Sequence, residues 1–364
     1  MRKVISVIVI ILAVAVAGIF LINEKKENTD VTQKKTKVGM IMLGSHDDRS
    51  YNQSHYEAME KTAVKLNLEV IYKENVPTDE NSKAVMDELI EAGCEIIICN
   101  SYDFGTWVQL KAQENPEIFF FHASGITQGR NLATYFGRMY QMRYLSGIVA
   151  GLQTESNEIG YVAAFPISEV NRGINAFALG VRSVNPEAMV YVEWSRSWND
   201  DAATEAAADE LFTKHNIDVI TMHSDSNKVL ELAEEKGVWS IGYNIDNSEY
   251  YPNSFLTAPV WQWENYYEPY ILKCMQGKFE GENYWEGIST GVVGLAPLTK
   301  NVKQETAEKV EAAKQQLINE TFDVFYGPVT DNEGKLRVSE GENVSDNTLL
   351  NEFTWYVEGV VADE

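Results

Sequence analysis

The chain alternates short apolar runs with amphipathic stretches, and one segment shows the repeating unit most clearly. In DVITMHSDSNKVLELAEEKGVWSIGYNID, residues 218–246, Val219, Ile220 and Met222 make an apolar run of strand length. The run stops in His223-Ser224-Asp225-Ser226, small polar residues that suit a turn and a helix N-cap. Val229, Leu232 and Ala233 then recur at helical spacing, and Gly237 follows the last lysine, where a helix end favours glycine. A second apolar run, Val238 to Gly242, ends in Tyr243-Asn244-Ile245-Asp246. The pattern predicts a strand, a crossover helix and a parallel strand, with both strand tips on the same sheet edge. In open parallel sheets ligands bind at that carboxyl edge. His223, Asp225, Tyr243, Asn244 and Asp246 therefore predict half of a binding site; the alternative is that each tip only caps a helix.

The same alternation runs on both sides of this unit. Strands are predicted at Val38–Leu43, Leu68–Tyr72, Glu95–Cys99 and Ile118–Phe121, with helices between them. Tyr140–Gln153 reads as a well-packed helix rich in small residues. The pattern restarts with strands at Ile159–Ala164 and Met189–Trp194 and helices at Val170–Leu179 and Ala202–His215. Phe255–Val260 is predicted as one further strand and Val302–Ile318 as a late helix. Phe325 to Pro328 and Asp331 to Lys335 read as a strand and a tight hairpin turn. Two successive α/β halves follow, each a doubly wound parallel sheet flanked by helices.

The first residues break this pattern. Arg2-Lys3 precede Val4–Ile22, nineteen residues without a charge, enough to span a bilayer. The expected reading is an uncleaved anchor that leaves the rest of the chain on the extracytoplasmic face; a cleaved signal peptide is the alternative. Asn23 to Thr36 is polar and reads as a tether. The expected organisation is a signal or anchor over 1–23 and a linker over 24–36. A first lobe follows over 37–157, completed by about 258–291, and a second over 158–257, completed by part of 292–364. Crossings between lobes are expected near Asn157, near Ala258 and after Gly291.

Charge narrows the partners. The 364 residues carry a formal net charge of -24, and the balance of the first 37 residues is positive, so the remainder is still more acidic. Such a surface repels nucleic acid. Cys94, Cys99 and Cys274 make neither a disulfide framework nor a zinc pattern and read as small buried hydrophobes. The five histidines show no metal spacing.

The predicted strand tips are aromatic and polar, among them Tyr51, Asn52, Tyr102, Asp103, Phe165, Trp198, His223, Asp225, Asn244 and Asp246. Aromatic faces stack on flat rings, and carboxylates and amides bond ring N–H, amino or hydroxyl groups. That mixture suits a neutral flat polar ligand such as a nucleobase or nucleoside, or else a sugar. No Gly-rich phosphate loop is present, and neither G-x-S-x-G, H-E-x-x-H nor C-x-x-C occurs. A binding protein without cofactor, metal or catalytic residue is expected rather than an enzyme. Trp194 and Trp261 read as core or hinge packing, and Tyr51 and Trp198 as the better stacking candidates.

Several stretches together resemble the basic membrane protein family of substrate-binding proteins. They are Asp48-Arg49-Ser50-Tyr51-Asn52-Gln53, NLATYFGRMYQMRYLSGIVAG (131–151) and PISEVNRGINAFALGVRSVNP (166–186). Ser197-Trp198, His223-Ser224-Asp225, Pro259-Val260-Trp261-Gln262-Trp263 and Phe325-Tyr326-Gly327-Pro328-Val329 complete the set. The resemblance implies a two-lobe type I periplasmic-binding-protein fold that closes on a purine base or nucleoside and delivers it to an ABC permease. Tyr51, in place of the family's usual Phe, and Asn52 match its ligand-contacting motif. The His-Ser-Asp and Ser-Trp variants look more like the branch that takes a free base such as adenine. A monomer tethered through residues 4–22 is expected. The chain has no lipid-anchor cysteine near its start, a departure from the family that leaves open a membrane-tethered sensor using the same pocket.

Overall fold

The structure is a computed structural model that describes residues 35–362; the expected anchor over 4–22 lies outside the described residues. Among the described residues, no helix is long and apolar enough to cross a membrane.

The first half of the chain builds one parallel sheet. Its strands are β1 (Lys37–Ile41), β2 (Glu69–Lys73), β3 (Ile96–Cys99), β4 (Phe119–Ala123) and β5 (Leu132–Gly137). Helices α1 (Tyr51–Leu66), α2 (Asn81–Glu91), α3 (Gly105–Glu114) and α4 (Tyr140–Gln153) follow β1, β2, β3 and β5. Strands β1, β3, β4 and β5 are almost wholly buried, as continuous apolar runs in a sheet covered on both faces must be. Edge strand β2 reads EVIYK and is half-buried, with charges at both ends.

The second sheet is built from β6 (Glu158–Ala163), β7 (Met189–Trp194), β8 (Val219–His223), β9 (Trp239–Ile241) and β10 (Phe255–Thr257). Its helices are α5 (Ser168–Val184), α6 (Asp201–Lys214) and α7 (Lys228–Lys236). The strand–helix–strand unit that organised the sequence is thus β8–α7–β9, and Gly237 ends α7 at a φ of 69°.

The apolar run 255–260 predicts one strand. The structure divides it at Ala258: β10 pairs with β9, whereas β11 (Pro259–Trp261) leaves that ladder and pairs antiparallel with β13 (Val293–Leu295). Pro259 has no N–H to continue the parallel ladder, and Ala258 is fully buried in the crossing. Between these strands α8 (Glu264–Met275) and β12 (Asn283–Glu286) return to the first sheet, where Trp285 pairs with Phe136 of β5. The late helix α9 (Gln304–Ile318) precedes the short hairpin of β14 (Val329–Thr330) and β15 (Leu336–Val338). The last strand, β16 (Val360–Ala362), pairs with β7. Both sheets have six parallel strands, in the orders β12-β5-β4-β3-β1-β2 and β10-β9-β8-β6-β7-β16. The hairpin turn is held by Asp331, which accepts from the amides of Glu333 (3.0 Å) and Lys335 (2.8 Å). All three cysteines are buried and free.

One apolar core extends from the first sheet through α4 into the second sheet. A smaller one packs α2 and α3 on the first sheet through Met86, Leu89, Val108 and Phe120. Helices α4 and α5 meet backbone to backbone. A Cβ on Gly147 would collide with the carbonyl of Phe177, one on Gly180 with that of Tyr144, and one on Gly151 would sit 2.7 Å from the carbonyl oxygen of Val181. Only glycine permits this approach. Gly180→Ala should therefore destabilise the protein by about 1–3 kcal/mol, read as a lower midpoint in denaturant unfolding. An unchanged midpoint would mean that the helices separate freely.

Candidate functional site

The site begins in the loop after β1. The Asp48 carboxylate accepts from the amides of Ser50 (2.8 Å), Asn52 (3.0 Å) and Gln53 (3.0 Å), capping α1. Asn52 Nδ2 also donates to Asp48 (2.8 Å), and its Oδ1 accepts from the Gly44 amide (3.1 Å) and Asn100 Nδ2 (2.8 Å). Asn100 Oδ1 in turn accepts from the Leu43 amide (3.0 Å). The amide of Asn52, expected from the resemblance to touch a ligand, is committed to holding this loop. The loop presents Ser50 and Tyr51 to the second sheet.

The tips of β8 and β9 meet it. Asn244, buried at a φ of 72°, donates from Nδ2 to Ser50 Oγ (2.9 Å) and to Asp225 Oδ1 (2.9 Å). Its Oδ1 accepts from Trp261 Nε1 (3.0 Å). A left-handed conformation is one that asparagine tolerates better than most side chains. Asn247 Nδ2 donates to the Arg49 carbonyl (3.1 Å), and Asn227 Nδ2 to the carbonyls of Asp48 and Arg49 (3.3 Å each). The two lobes are therefore closed on one another at this edge.

Aromatic rings from both sides surround the joint. On the first side, Tyr51 stands edge-on to His55 (4.6 Å between centroids) and Trp263 (6.4 Å). His55 stacks on Trp263 at 4.6 Å, and Trp263 on Trp261 at 4.2 Å. The last pair is packing, as expected for Trp261. On the second side, Phe165 and Trp198 meet at 5.7 Å, Trp198 and His223 at 6.3 Å, and His223 and Tyr243 at 4.8 Å. The Asp225 amide donates to the Trp198 carbonyl (2.6 Å), which ties the two tips together. Beside Asp225 a cavity of about 240 Å³ opens between the lobes, lined by Gly44, Asp48, Asn52, Asn199 and Lys228 among others.

Tyr51, Asn52, Phe165, Trp198, His223, Asp225 and Asn244 thus share one region of the molecule, whereas three of the expected residues do not join its buried part. Tyr102 and Asp103 lie in an exposed turn after β3, where the Asp103 amide bonds back to Ser101 Oγ. Asp246 is exposed and caps a turn by accepting from the Ser248 amide (2.9 Å). Among the described residues, no group of three or more His, Cys, Asp or Glu is placed to hold a metal ion.

Other residues of the region went unnoticed as site residues in the sequence: Ser50, His55, Arg143, Glu169, Arg172 and Trp263. Some carried a signal. Glu169 and Arg172 sit three apart at the start of α5, so they share a face of a helix whose rest is largely buried. Arg143 is a lone charge inside the apolar helix α4.

Burial dominates the electrostatics. The Asp225 carboxyl is pushed well above the ordinary aspartate range, first by burial and then by the charge of Asp48; bonds from Asn244 and Ser50 act the other way. Glu169 is raised by burial, against the pull of Arg172 and Arg143. His223 is held well below its usual value by burial and then by the same two guanidiniums, so it is neutral. The Tyr51 hydroxyl is raised, by burial first and then by Glu169.

These shifts give a pH test. The folded-state pKa of Asp225 lies above its unfolded value, so the folded protein holds an extra proton between the two. The resulting stability is full below the ordinary aspartate pKa and is lost as pH rises through the raised one. Asp225→Asn keeps the shape and removes the titration. The wild-type midpoint should fall more steeply with pH across this window than that of Asp225→Asn. Equal slopes would show that Asp225 titrates normally.

Comparison with known proteins gives the context. A family model described as Bmp, ABC transporter substrate-binding protein PnrA-like, matches residues 35–326. The chain is 35% identical over 322 residues to a putative ABC transporter glucose-binding protein of Haloferax volcanii, covering 88% of this chain and 79% of that one. It is 30% identical over 330 residues to a purine-binding protein of Brucella abortus, covering 90% and 93%. Among solved structures, a transcriptional activator of the comK gene from Bacillus halodurans superposes with a TM-score of 0.70 at 23% identity, over 79% of this chain and 99% of that one. A solute-binding protein of an ABC transporter system from Conexibacter woesei gives 0.68 at 18% identity, over 79% and 98%. Both share the two-lobe fold expected from the sequence.

Proposed function

The chain belongs to the Bmp family of PnrA-like ABC transporter substrate-binding proteins, and we propose that it captures a purine base or nucleoside, adenine-like by preference, between its two closing lobes. In this reading it works on the extracytoplasmic face of the cell membrane as a monomer, held by residues 4–22, and hands its ligand to an ABC permease. It binds its ligand and does not transform it.

The observation that carries the purine reading is the pairing across the closed edge. Tyr51 comes from one lobe and Phe165, Trp198 and Tyr243 from the other, with the desolvated groups of Asp225, Glu169 and His223 among them. A flat ring stacks on such faces while its edge takes hydrogen bonds from the polar groups. The purine-binding relative in Brucella abortus supports the same choice. Closure is favoured because only the closed form offers both sides at once. The lobes that move are 37–157 with 258–291, and 158–257 with part of 292–364. The return of α8 and β12 to the first sheet and of β16 to the second supports the two later crossings, whereas α4 packs chiefly on α5 beside the second sheet.

A second reading is a sugar receptor, favoured by the glucose-binding relative in Haloferax volcanii and by the polar cavity next to Asp225. Calorimetry of residues 35–364 with adenine, adenosine, guanosine, ribose and glucose separates the two. Under the purine reading adenine or adenosine binds at about micromolar Kd or tighter. Tyr51→Ala and Trp198→Ala should each weaken it by about 10–100-fold, the worth of one stacked base. Unchanged affinity in both variants removes the stacking assignment. Binding of glucose without any purine establishes the second reading.

A further inference from the structure

The deepest polar groups beside the second sheet are not used up by the protein. Arg143 is fully buried; its Nη1 donates to the Met222 carbonyl (2.8 Å), while Nε and Nη2 have no protein partner. His223, 2% exposed, meets the Tyr161 hydroxyl through Nδ1 (3.3 Å) and leaves Nε2 without a partner. Glu169 Oε1 lies 4.0 Å from that Nε2, too far for a hydrogen bond. Buried polar groups of this kind cost free energy unless something else satisfies them.

The surroundings hold these groups in place. The Arg143 guanidinium lies on the Tyr243 ring, 3.9 Å from its centroid. Arg172 donates to the Leu349 carbonyl (3.0 Å) and packs on Trp285 at 4.9 Å. The charges of both guanidiniums act to lower the Glu169 pKa, against the larger effect of burial. Across the cleft, Glu169 is the charge that acts most strongly on the Tyr51 hydroxyl. Glu169, Tyr243 and Arg143 thus gather around the His223 ring: Glu169 Oε1 is 4.0 Å from Nε2, and the Tyr243 ring that carries the Arg143 guanidinium stands 4.8 Å from the imidazole. An acceptor with a buried guanidinium donor beside it matches a ligand edge that carries an N–H next to an acceptor. Adenine has such an edge, with its amino group beside ring nitrogens.

We propose that Glu169 sets the ligand specificity of this site: its carboxylate accepts the N–H of the ligand's buried edge, while Arg143 donates to the neighbouring acceptor. Arg172 positions the carboxylate. This inference rests on the purine reading above and names the residue that reads the base.

The test compares adenine with unsubstituted purine, which stacks equally well but lacks the amino group. Wild-type protein should bind adenine about 10–100-fold more tightly, the worth of a hydrogen bond to a charged group. In Glu169→Gln a neutral amide replaces the charged acceptor, and that preference should shrink about fivefold or more. A merely structural role would weaken both ligands alike and leave the ratio unchanged, which overturns the inference. Equal binding of adenine and purine by the wild type overturns it without any variant. If the wild type binds neither and takes glucose or ribose instead, the purine reading itself falls, and this inference with it.

Discussion

The amide of Asn244 is the point on which the rest of this structure depends. It donates to a hydroxyl of one lobe and to a carboxyl of the other, and it accepts from an indole of the crossing strand. One partner lies 194 residues away in the chain and the other two 19 and 17, and all are held on one side chain. Each bond is ordinary in strength, but two are buried and the third partly so, and leaving a buried one unmade carries the desolvation cost. Asn227 and Asn247 extend the joint by gripping the backbone carbonyls of Asp48 and Arg49. Amides suit this task because they bond without bringing charge into a closing interface.

Charge is instead concentrated just inside the joint. The protein is strongly acidic, yet the carboxyls of the cleft are the ones that burial most resists. The two guanidiniums whose charge acts on Glu169 lie in α4 and α5, largely buried helices packed on each other, so the compensating charge comes from the scaffold and not from mobile loops. Acceptors and donors are thus fixed before any ligand arrives, which lowers the ordering cost of binding.

Much of this was legible in the sequence, for definite reasons. The β8–α7–β9 unit was read from apolar spacing and a glycine stop, because parallel strands buried on both faces leave continuous apolar runs. Strand β7 and helix α4 fell where the pattern put them. The division at Ala258 was not legible, since an apolar run reads alike whether it stays in one ladder or passes to another. Within the site, residues at strand tips could be anticipated from topology. Arg143 and Glu169 could not, because they project from helices, and their meeting depends on how α4 and α5 pack. Asn52 carries a duty its motif did not reveal: its amide holds the loop while the residue lines the cavity. Asp246, Tyr102 and Asp103 share strand-tip positions with the others and differ only in the turn that carries them outward.

The contact between α4 and α5 has a consequence for how this sequence can vary. Gly147, Gly151 and Gly180 line a single seam in which each hydrogen faces the opposite helix's backbone. A side chain acquired at one of these positions cannot be accommodated by trimming another, because no residue is smaller. Substitutions along the seam should therefore be non-additive, with the first change forcing the helices apart and making the second cheap. Their history should be that of one inherited unit, kept together or lost together.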